Sequence, residues 1–496
     1  MLLRTKRKEL LFVLVFLSVS LKYVSAQEVY DPTWESLDSR PIPSWFEDAK
    51  FGIFIHWGPY SVPAFTPKGT YSEWYQYWLE EETLFGNGDF NGDEVTQYHR
   101  ATYGDINYYE FGKMFKADLF QPKEWAELFE NAGARYVILT AKHHDGYALW
   151  PSEEANDRGF PWNSSEIGPK KDLVGLLSDA VKNQGLKMGL YYSLYEWYHP
   201  WWQKDQKRFV REHLFPQIKD LVQKYEPDVL WSDGEWDLPA EEWKSKEFLA
   251  WLYNDSNVKN KIVVNDRWGE GIRKNHGGYF TTEYEAEDGS FSRPWEECRG
   301  MGFSFGYNQN EDAEDYNSAQ ALTLMLINIV STGGNLLLDI GPDSRGNIPP
   351  IMQDRLLKIG QWLRTNGEAI YNTRPWNGSF QWGKGTKDYH PEQHYLGGDF
   401  ILKQTINPEP GFAVKELFFT QNAENKYVLA PKWPGVQMKI KNVTFKPGTK
   451  ITLLVTGQEL NWQQIGKNVL VQMPNYDPNI IKPEEAYAYV FKIKEK

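Results

Sequence analysis

Val229-Leu230-Trp231-Ser232-Asp233-Gly234-Glu235-Trp236 is the stretch that decides how this chain is read. An apolar run, Val229 to Trp231, leads to a carboxylate, a glycine, a second carboxylate and another tryptophan. Side chains alternate faces along a strand, so Trp231 and Asp233 share a side. A strand ending this way presents an acid at the mouth of a fold, beside an indole wall. That pair suits a sugar ring: the carboxylate attacks or hydrogen-bonds, and the indole packs on the apolar C–H face. Taken alone, the octapeptide reads equally well as an exposed acidic turn, so the flanking chain has to decide.

Phe209 to Tyr225 has helical spacing and feeds this strand. The same alternation recurs on both sides. Phe51 to Ile55 is a strand ending in His56, and Tyr136 to Thr140 is a strand leading to Lys142-His143-His144-Asp145-Gly146. Leu186 to Ser193, Ile262 to Asn265, Tyr279 to Tyr284 and Asn335 to Ile340 complete the set. Helical patterns fall between them at Glu124 to Ala132, Asp172 to Asn183, Ala319 to Ser331 and Ile351 to Asn366. Asp172 is placed to cap the second of these and Gly185 to close it. Continuous apolar strands alternating with helices indicate a parallel sheet covered by helices. Long segments follow the strands, Ser61 to Tyr103 above all, so a (β/α)8, TIM-like barrel fits better than an open doubly wound sheet. No phosphate-binding glycine fingerprint follows the first strand, which counts against a dinucleotide fold.

The pattern changes after Arg374-Pro375. Short alternating runs separated by Gly, Pro and Asn predict an antiparallel β-sandwich: Val414 to Thr420, Lys426 to Leu429, Gln437 to Ile440, Ile451 to Val455, Val469 to Gln472 and Tyr487 to Ile493. The expected organisation is therefore α/β: a leader over 1–26, a catalytic barrel over 27–375 and a C-terminal β-sandwich over 376–496. The leader reading rests on a charged start (Arg4 to Lys8), the apolar Leu10 to Leu21 and the small-residue site Val24-Ser25-Ala26. It implies a secreted, periplasmic or lysosomal protein with no membrane span after cleavage.

The 496 residues carry a net charge of −13 and no basic run, which argues against nucleic acid or anionic membranes as partners. The single cysteine, Cys298, rules out an intrachain disulfide, so a large core must supply stability. The 22 tryptophans exceed ordinary usage and suggest carbohydrate stacking surfaces. Sequons stand at Asn163, Asn254, Asn377 and Asn442.

Barrel sites form just after the strands. Those positions hold His56, Glu73 with Trp74, His143 with His144, Tyr191, Trp231 with Asp233, Arg267 and Glu283. A hydroxyl-rich ligand needs such donors and acceptors, and glycoside hydrolysis needs two carboxylates. Asp233 is the natural nucleophile: short, at a strand end, and within potential reach of Arg267. Glu283, nearest its own strand end, is the first choice for general acid/base, and Glu296, arriving from a loop after Pro294, is the second. No His-Glu-x-x-His spacing supports a metal site, adjacent histidines on an extended chain point apart, and no Gly-x-Ser-x-Gly elbow appears. Neither a metal nor another cofactor is expected.

Seven ordered motifs carry a resemblance: Lys50 to Gly58, Glu73-Trp74-Tyr75, Ala141 to Gly146, Gly189 to Ser193, Trp231 to Gly234, Val264 to Gly269 and Gly334 to Pro342. The chain resembles the α-L-fucosidases of glycoside hydrolase family 29 from about Trp45 to Trp376, and more loosely beyond. The resemblance implies a retaining exo-glycosidase that releases terminal α-L-fucose, on an often irregular barrel. It also implies Asp233 as nucleophile, and fucose contacts from His56, Glu73, Trp74, His143, His144, Tyr191, Trp231 and Arg267. Phe305 matches an aromatic near the fucose methyl group. The implied partner is a fucosylated oligosaccharide or glycoconjugate, and a homo-oligomer is compatible with the sequence. The competing readings are a glycosidase for a related sugar such as galactose and a non-catalytic fucose-binding protein.

Overall fold

The computed structural model describes residues 29–80, 92–285, 291–387, 398–483 and 486–495. The expected leader lies outside them.

Eight parallel strands form one curled sheet: β1 (Phe51–Ile55), β2 (Tyr136–Lys142), β3 (Lys187–Ser193), β4 (Val229–Asp233), β5 (Val263–Val264), β6 (Phe280–Glu283), β7 (Trp295–Gly300) and β8 (Asn335–Ile340). Their order is β5-β4-β3-β2-β1-β8-β7-β6. Helices Pro122–Asn131, Leu173–Asn183, Phe215–Tyr225, Ser245–Asn254, Ala319–Ser331 and Pro350–Asn366 supply the outer layer. Asp172 caps the second of these, its Oδ1 accepting from Gly175 N at 2.8 Å. No helix joins β5 to β6 or β6 to β7 among the described residues, and that makes the barrel irregular. The segment from Ser61 to Tyr103, expected as a loop, carries two helices, Tyr75–Glu80 and Gly92–Tyr103. The stretch Phe209–Leu214 is π-helical and runs directly into Phe215–Tyr225.

Two apolar layers result from strand alternation. Phe54, Ile138, Tyr191, Val229, Trp231, Val263 and Leu337 fill the barrel interior. Their alternate neighbours face the helices in a larger core. In the register, Tyr191 pairs with Trp231, and Ser193 with Asp233. Gly52 has its place here for lack of a side chain: a Cβ there would lie 2.4 Å from the Tyr136 ring. Phe46 stacks on Tyr279 at 4.1 Å and closes the lower end.

Beyond the barrel, the first C-terminal strand is β9 (Arg374–Trp382), which begins where the helical pattern ends. A six-stranded and a three-stranded antiparallel sheet form here; six of their nine described strands fall on the predicted runs, and β9, Gln458–Leu460 and Trp462–Ile465 do not. Leu417, Val428 and Ile451 of the larger sheet pack on Met438, Ile440 and Val471 of the smaller. The opposite face of the larger sheet, with Phe418, Tyr427 and Val490, joins the barrel's outer core. Trp362 Nε1 donates to Ala488 O at 3.0 Å across that junction. Helix Gly398–Thr405 was not foreshadowed by the alternating pattern.

The barrel closes at a seam rather than a full ladder. Gly278 N donates to Asn265 O and Tyr279 N to Val264 O, both at 3.0 Å. Asp266 Oδ1 accepts from Thr281 N at 3.1 Å and Oγ1 at 2.7 Å. At Gly278 an added Cβ would lie 1.7 Å from the Val264 carbonyl oxygen. Gly278→Ala must therefore prise β5 and β6 apart, at a cost on the order of 3 kcal/mol. Urea unfolding should show a lower midpoint for this variant, and wild-type stability would contradict the seam.

Candidate active site

The strand ends deliver a cleft lined by Phe54, His56, Tyr71, Glu73, Trp74, His143, His144, Tyr191, Trp231, Asp233, Trp236, Arg267, Glu283, Cys298 and Phe305. Every expected fucose-contacting position, Asp233 and the first-choice Glu283 therefore meet in one place. Glu296 does not.

Asp233 ends β4 on the inner face, as the alternation of Val229, Trp231 and Asp233 requires. Its Oδ2 accepts from Tyr191 OH at 2.8 Å and its Oδ1 from Arg267 NH1 at 2.8 Å. His144 Nε2 lies 3.7 Å from Oδ2, and Arg273 NH2 lies 3.5 Å from Oδ1. Burial alone would raise the Asp233 carboxyl. The nearby Arg267 and Arg273 more than offset this and hold it well below the usual carboxylate range, so it stays ionised.

Arg267 follows β5 and is buried, with its guanidinium 4.4 Å above the Trp231 ring. Besides Asp233 it donates from NH2 to Glu283 Oε2 at 3.1 Å and from Nε to Thr281 Oγ1 at 3.1 Å. One planar fork thus holds both carboxyl groups. Tyr71 OH donates to Glu283 Oε1 at 3.1 Å. The Glu283 side chain keeps 25% exposure, so it reaches the open side of the cleft.

The histidines are set by their neighbours. His56 Nδ1 lies 2.6 Å from Asp339 Oδ1. Burial pushes His56 down to about 3 and Asp339 well up, so the pair carries no net charge and His56 Nε2 is left for a ligand. Ser193 Oγ donates to Tyr195 O at 2.6 Å, so His144 Nδ1–H donates to that oxygen at 2.7 Å and Nε2 is left as an acceptor. Burial holds His144 at about 4 and His143 well below its ordinary value. The expectation that the adjacent histidines point apart is corrected: their ring centroids are 4.1 Å apart. The pair lies beyond the end of β2, where Gly146 N donates to His143 O in a turn, and not on extended backbone.

Glu73 Oε2 accepts from Gly306 N at 2.8 Å and Ser304 Oγ at 3.1 Å. Burial nevertheless raises its carboxyl to about 7. Phe305 stacks on His56 at 4.9 Å and, with Phe54 and Tyr71, makes one wall apolar.

The second-choice acid, Glu296, is corrected by its position. It lies on β7, a strand that the sequence reading missed, and faces the barrel interior below the cleft. Trp231 Nε1, Tyr279 OH and Tyr136 OH all donate to it. Burial raises it to about 7. Fully enclosed by these donors, it supports the Trp231 indole and does not open to a ligand. Sequence reasoning also missed Tyr71, Arg273 and Trp236. Tyr71 stands two residues before Glu73 and Trp236 three after Asp233, and that closeness was the available signal. Arg273 had none, because only folding brings it to Asp233.

Among the described residues, Glu196, His199 and His213 have the spacing of a metal site. Glu196, however, already accepts from Lys142 at 2.6 Å, from Arg158 and from His213 at 2.8 Å. With Lys142 and Arg158 beside it, Glu196 belongs to a buried salt-bridge network. It fixes Lys142 and hence the root of the His143–His144 turn.

Comparison with known proteins identifies the family. The family described as Alpha-L-fucosidase matches residues 17–368. An alpha-L-fucosidase of Dictyostelium discoideum is 44% identical over 380 residues, 74% of this chain and 79% of that protein. The tissue alpha-L-fucosidase of Homo sapiens is 38% identical over 96% of this chain and 95% of its own length. The crystal structure of a Thermotoga maritima alpha-fucosidase in complex with fucose has 32% identity and a TM-score of 0.73, covering 94% of this chain and all of that one. With its carboxylates joined by one arginine in a cleft at the strand ends of a TIM-like barrel, the chain belongs to the α-L-fucosidase family of retaining glycoside hydrolases.

Proposed function

We propose that this chain hydrolyses terminal α-L-fucosides with Asp233 as nucleophile and Glu283 as general acid/base. The observation that carries the assignment is the Arg267 fork, which bonds Asp233 and Glu283 at once. Retaining hydrolases need carboxyls only about 5–5.5 Å apart, and a shared guanidinium keeps these two close.

The ionised Asp233 attacks the anomeric carbon while Glu283, as the acid, protonates the departing glycosidic oxygen. The C1–O bond to the leaving group breaks as the Asp233–C1 bond forms. Glu283, now a carboxylate, takes a proton from water, which attacks C1 and releases Asp233. His56, Glu73, His143 and His144 accept and donate hydrogen bonds around the ring. Glu73, raised to about 7, is largely protonated in mildly acidic solution and can donate as well as accept. Phe305 and Phe54 suit a methyl group better than the hydroxymethyl of galactose. An aryl α-L-fucoside should therefore turn over far faster than the matching galactoside.

The leader reading, together with relatives named for tissue and plasma, supports a secreted or lysosomal setting. No helix among the described residues is long and apolar enough to cross a membrane.

Asp233→Gly should lower kcat by at least about 10³-fold while the protein stays folded. Azide should restore part of the turnover as an external nucleophile, and near-normal activity without it would exclude Asp233.

For Glu283→Ala, hydrolysis of a fucosyl disaccharide should fall far more than hydrolysis of an activated aryl fucoside, since a good leaving group needs little protonation. The basic limb of the pH profile should flatten with it. Glu296→Gln should show neither effect; if it does and Glu283→Ala does not, the acid is Glu296.

A further inference from the structure

Trp236 differs from the rest of the cleft. Among the described lining residues it alone is exposed, at 37%, whereas His56, Glu73, His143, His144, Tyr191 and Trp231 are all buried. The groups that would surround the released sugar are therefore at depth, and this indole stands at the rim.

Its position is fixed by the chain just before it. Gly234, at φ +71°, turns the backbone out of β4 against Tyr195, where a Cβ would lie 2.7 Å from the Tyr195 Cβ. The Glu235 carboxylate is buried and bonded to Arg273, and its backbone oxygen accepts from Trp243 Nε1 at 3.0 Å. The Trp236 ring then rests on three others: His144 at 5.2 Å, Trp74 at 5.7 Å and Tyr195 at 6.2 Å. Trp74 is itself backed by Trp78 at 5.6 Å and Trp197 at 5.2 Å. An exposed indole held this way gives a large apolar face with little flexibility to lose on binding. It stands three residues from the attacking carboxylate, on the same cleft.

We propose that Trp236, with Trp74 beside it, forms the leaving-group subsite, a shelf on which the sugar that carries the fucose stacks its apolar C–H face. This inference rests on the fucosidase reading and adds the class of aglycone to it: a pyranose ring with axial hydrogens on one face, such as a galactose or N-acetylglucosamine unit. The contact is made where the scissile oxygen leaves. It serves disaccharide and glycoconjugate substrates and contributes nothing to a substrate whose leaving group has no ring.

The test compares W236A and W236H with the wild type on an α-L-fucosyl-galactose disaccharide and on α-L-fucosyl fluoride, whose leaving group is fluoride. The shelf predicts that W236A loses about tenfold in kcat/KM on the disaccharide, chiefly through KM, and markedly less on the fluoride. W236H, which keeps a smaller flat ring, should lie between. With fucosyl fluoride as donor, the fraction of fucose transferred to added galactose rather than to water should also fall in W236A. Equal losses on both substrates would place Trp236 in the fucose site or the fold and overturn the proposal. A disaccharide KM unchanged from wild type in both variants would overturn it too. Failure of the fucosidase reading would look different, because the wild type itself would then turn over neither substrate.

Discussion

The cleft depends on one cation. Arg267 is buried against Trp231 and surrounded by acids, and it donates to Asp233 and Glu283 with the two arms of one guanidinium. A buried cation is costly unless its hydrogen bonds are satisfied. Here Thr281 takes the Nε–H and the carboxyl groups of Asp233 and Glu283 take the arms, so its hydrogen bonds are satisfied and the ionised Asp233 balances its charge. The same charge keeps the Asp233 carboxyl ionised against the effect of burial. Removing Arg267 would at once free the spacing of the carboxyls and raise the proton affinity of Asp233.

Barrel construction makes this possible. Arg267 follows β5 and Glu283 ends β6, the two strands that meet only at a seam. Asp266 bonds Thr281 across that seam, and Arg267, the next residue, bonds the same threonine. Closure of the barrel and placement of the cation are therefore one event. Below them, Glu296 and its three donors hold the Trp231 indole on which the guanidinium rests. Glu296, raised to about 7 by burial, is enclosed by those three donors beneath the cleft.

Much of this was legible before folding. The alternation Val229, Trp231, Asp233 put the acid on the inner face, and continuous apolar strands with intervening helices indicated the barrel. The short runs after Pro375 foreshadowed the sheets of the C-terminal region. What escaped reading has physical causes. The strand β7 carries Glu296-Glu297-Cys298-Arg299, polar enough to pass for a loop; its charges are satisfied only in the folded state, Glu297 by Arg299 and Thr282, and Glu296 by three rings. The histidine pair looked divergent because it was read as extended, whereas a turn begins there. Arg273 and the Tyr71 bond to Glu283 join residues far apart in the chain, and no local periodicity encodes such meetings.

On the proposed reading, a carboxylate oxygen of Asp233, held by Arg267, bonds the anomeric carbon. Its most direct test is covalent trapping with 2-deoxy-2-fluoro-α-L-fucosyl fluoride, followed by peptide mass spectrometry of the inactivated protein. The account predicts a single fluorofucosyl adduct, on the Asp233 side chain, that turns over slowly and is protected against by free fucose. An adduct on Glu283, Glu235 or Glu73 instead, or inactivation with no adduct on Asp233, would contradict it.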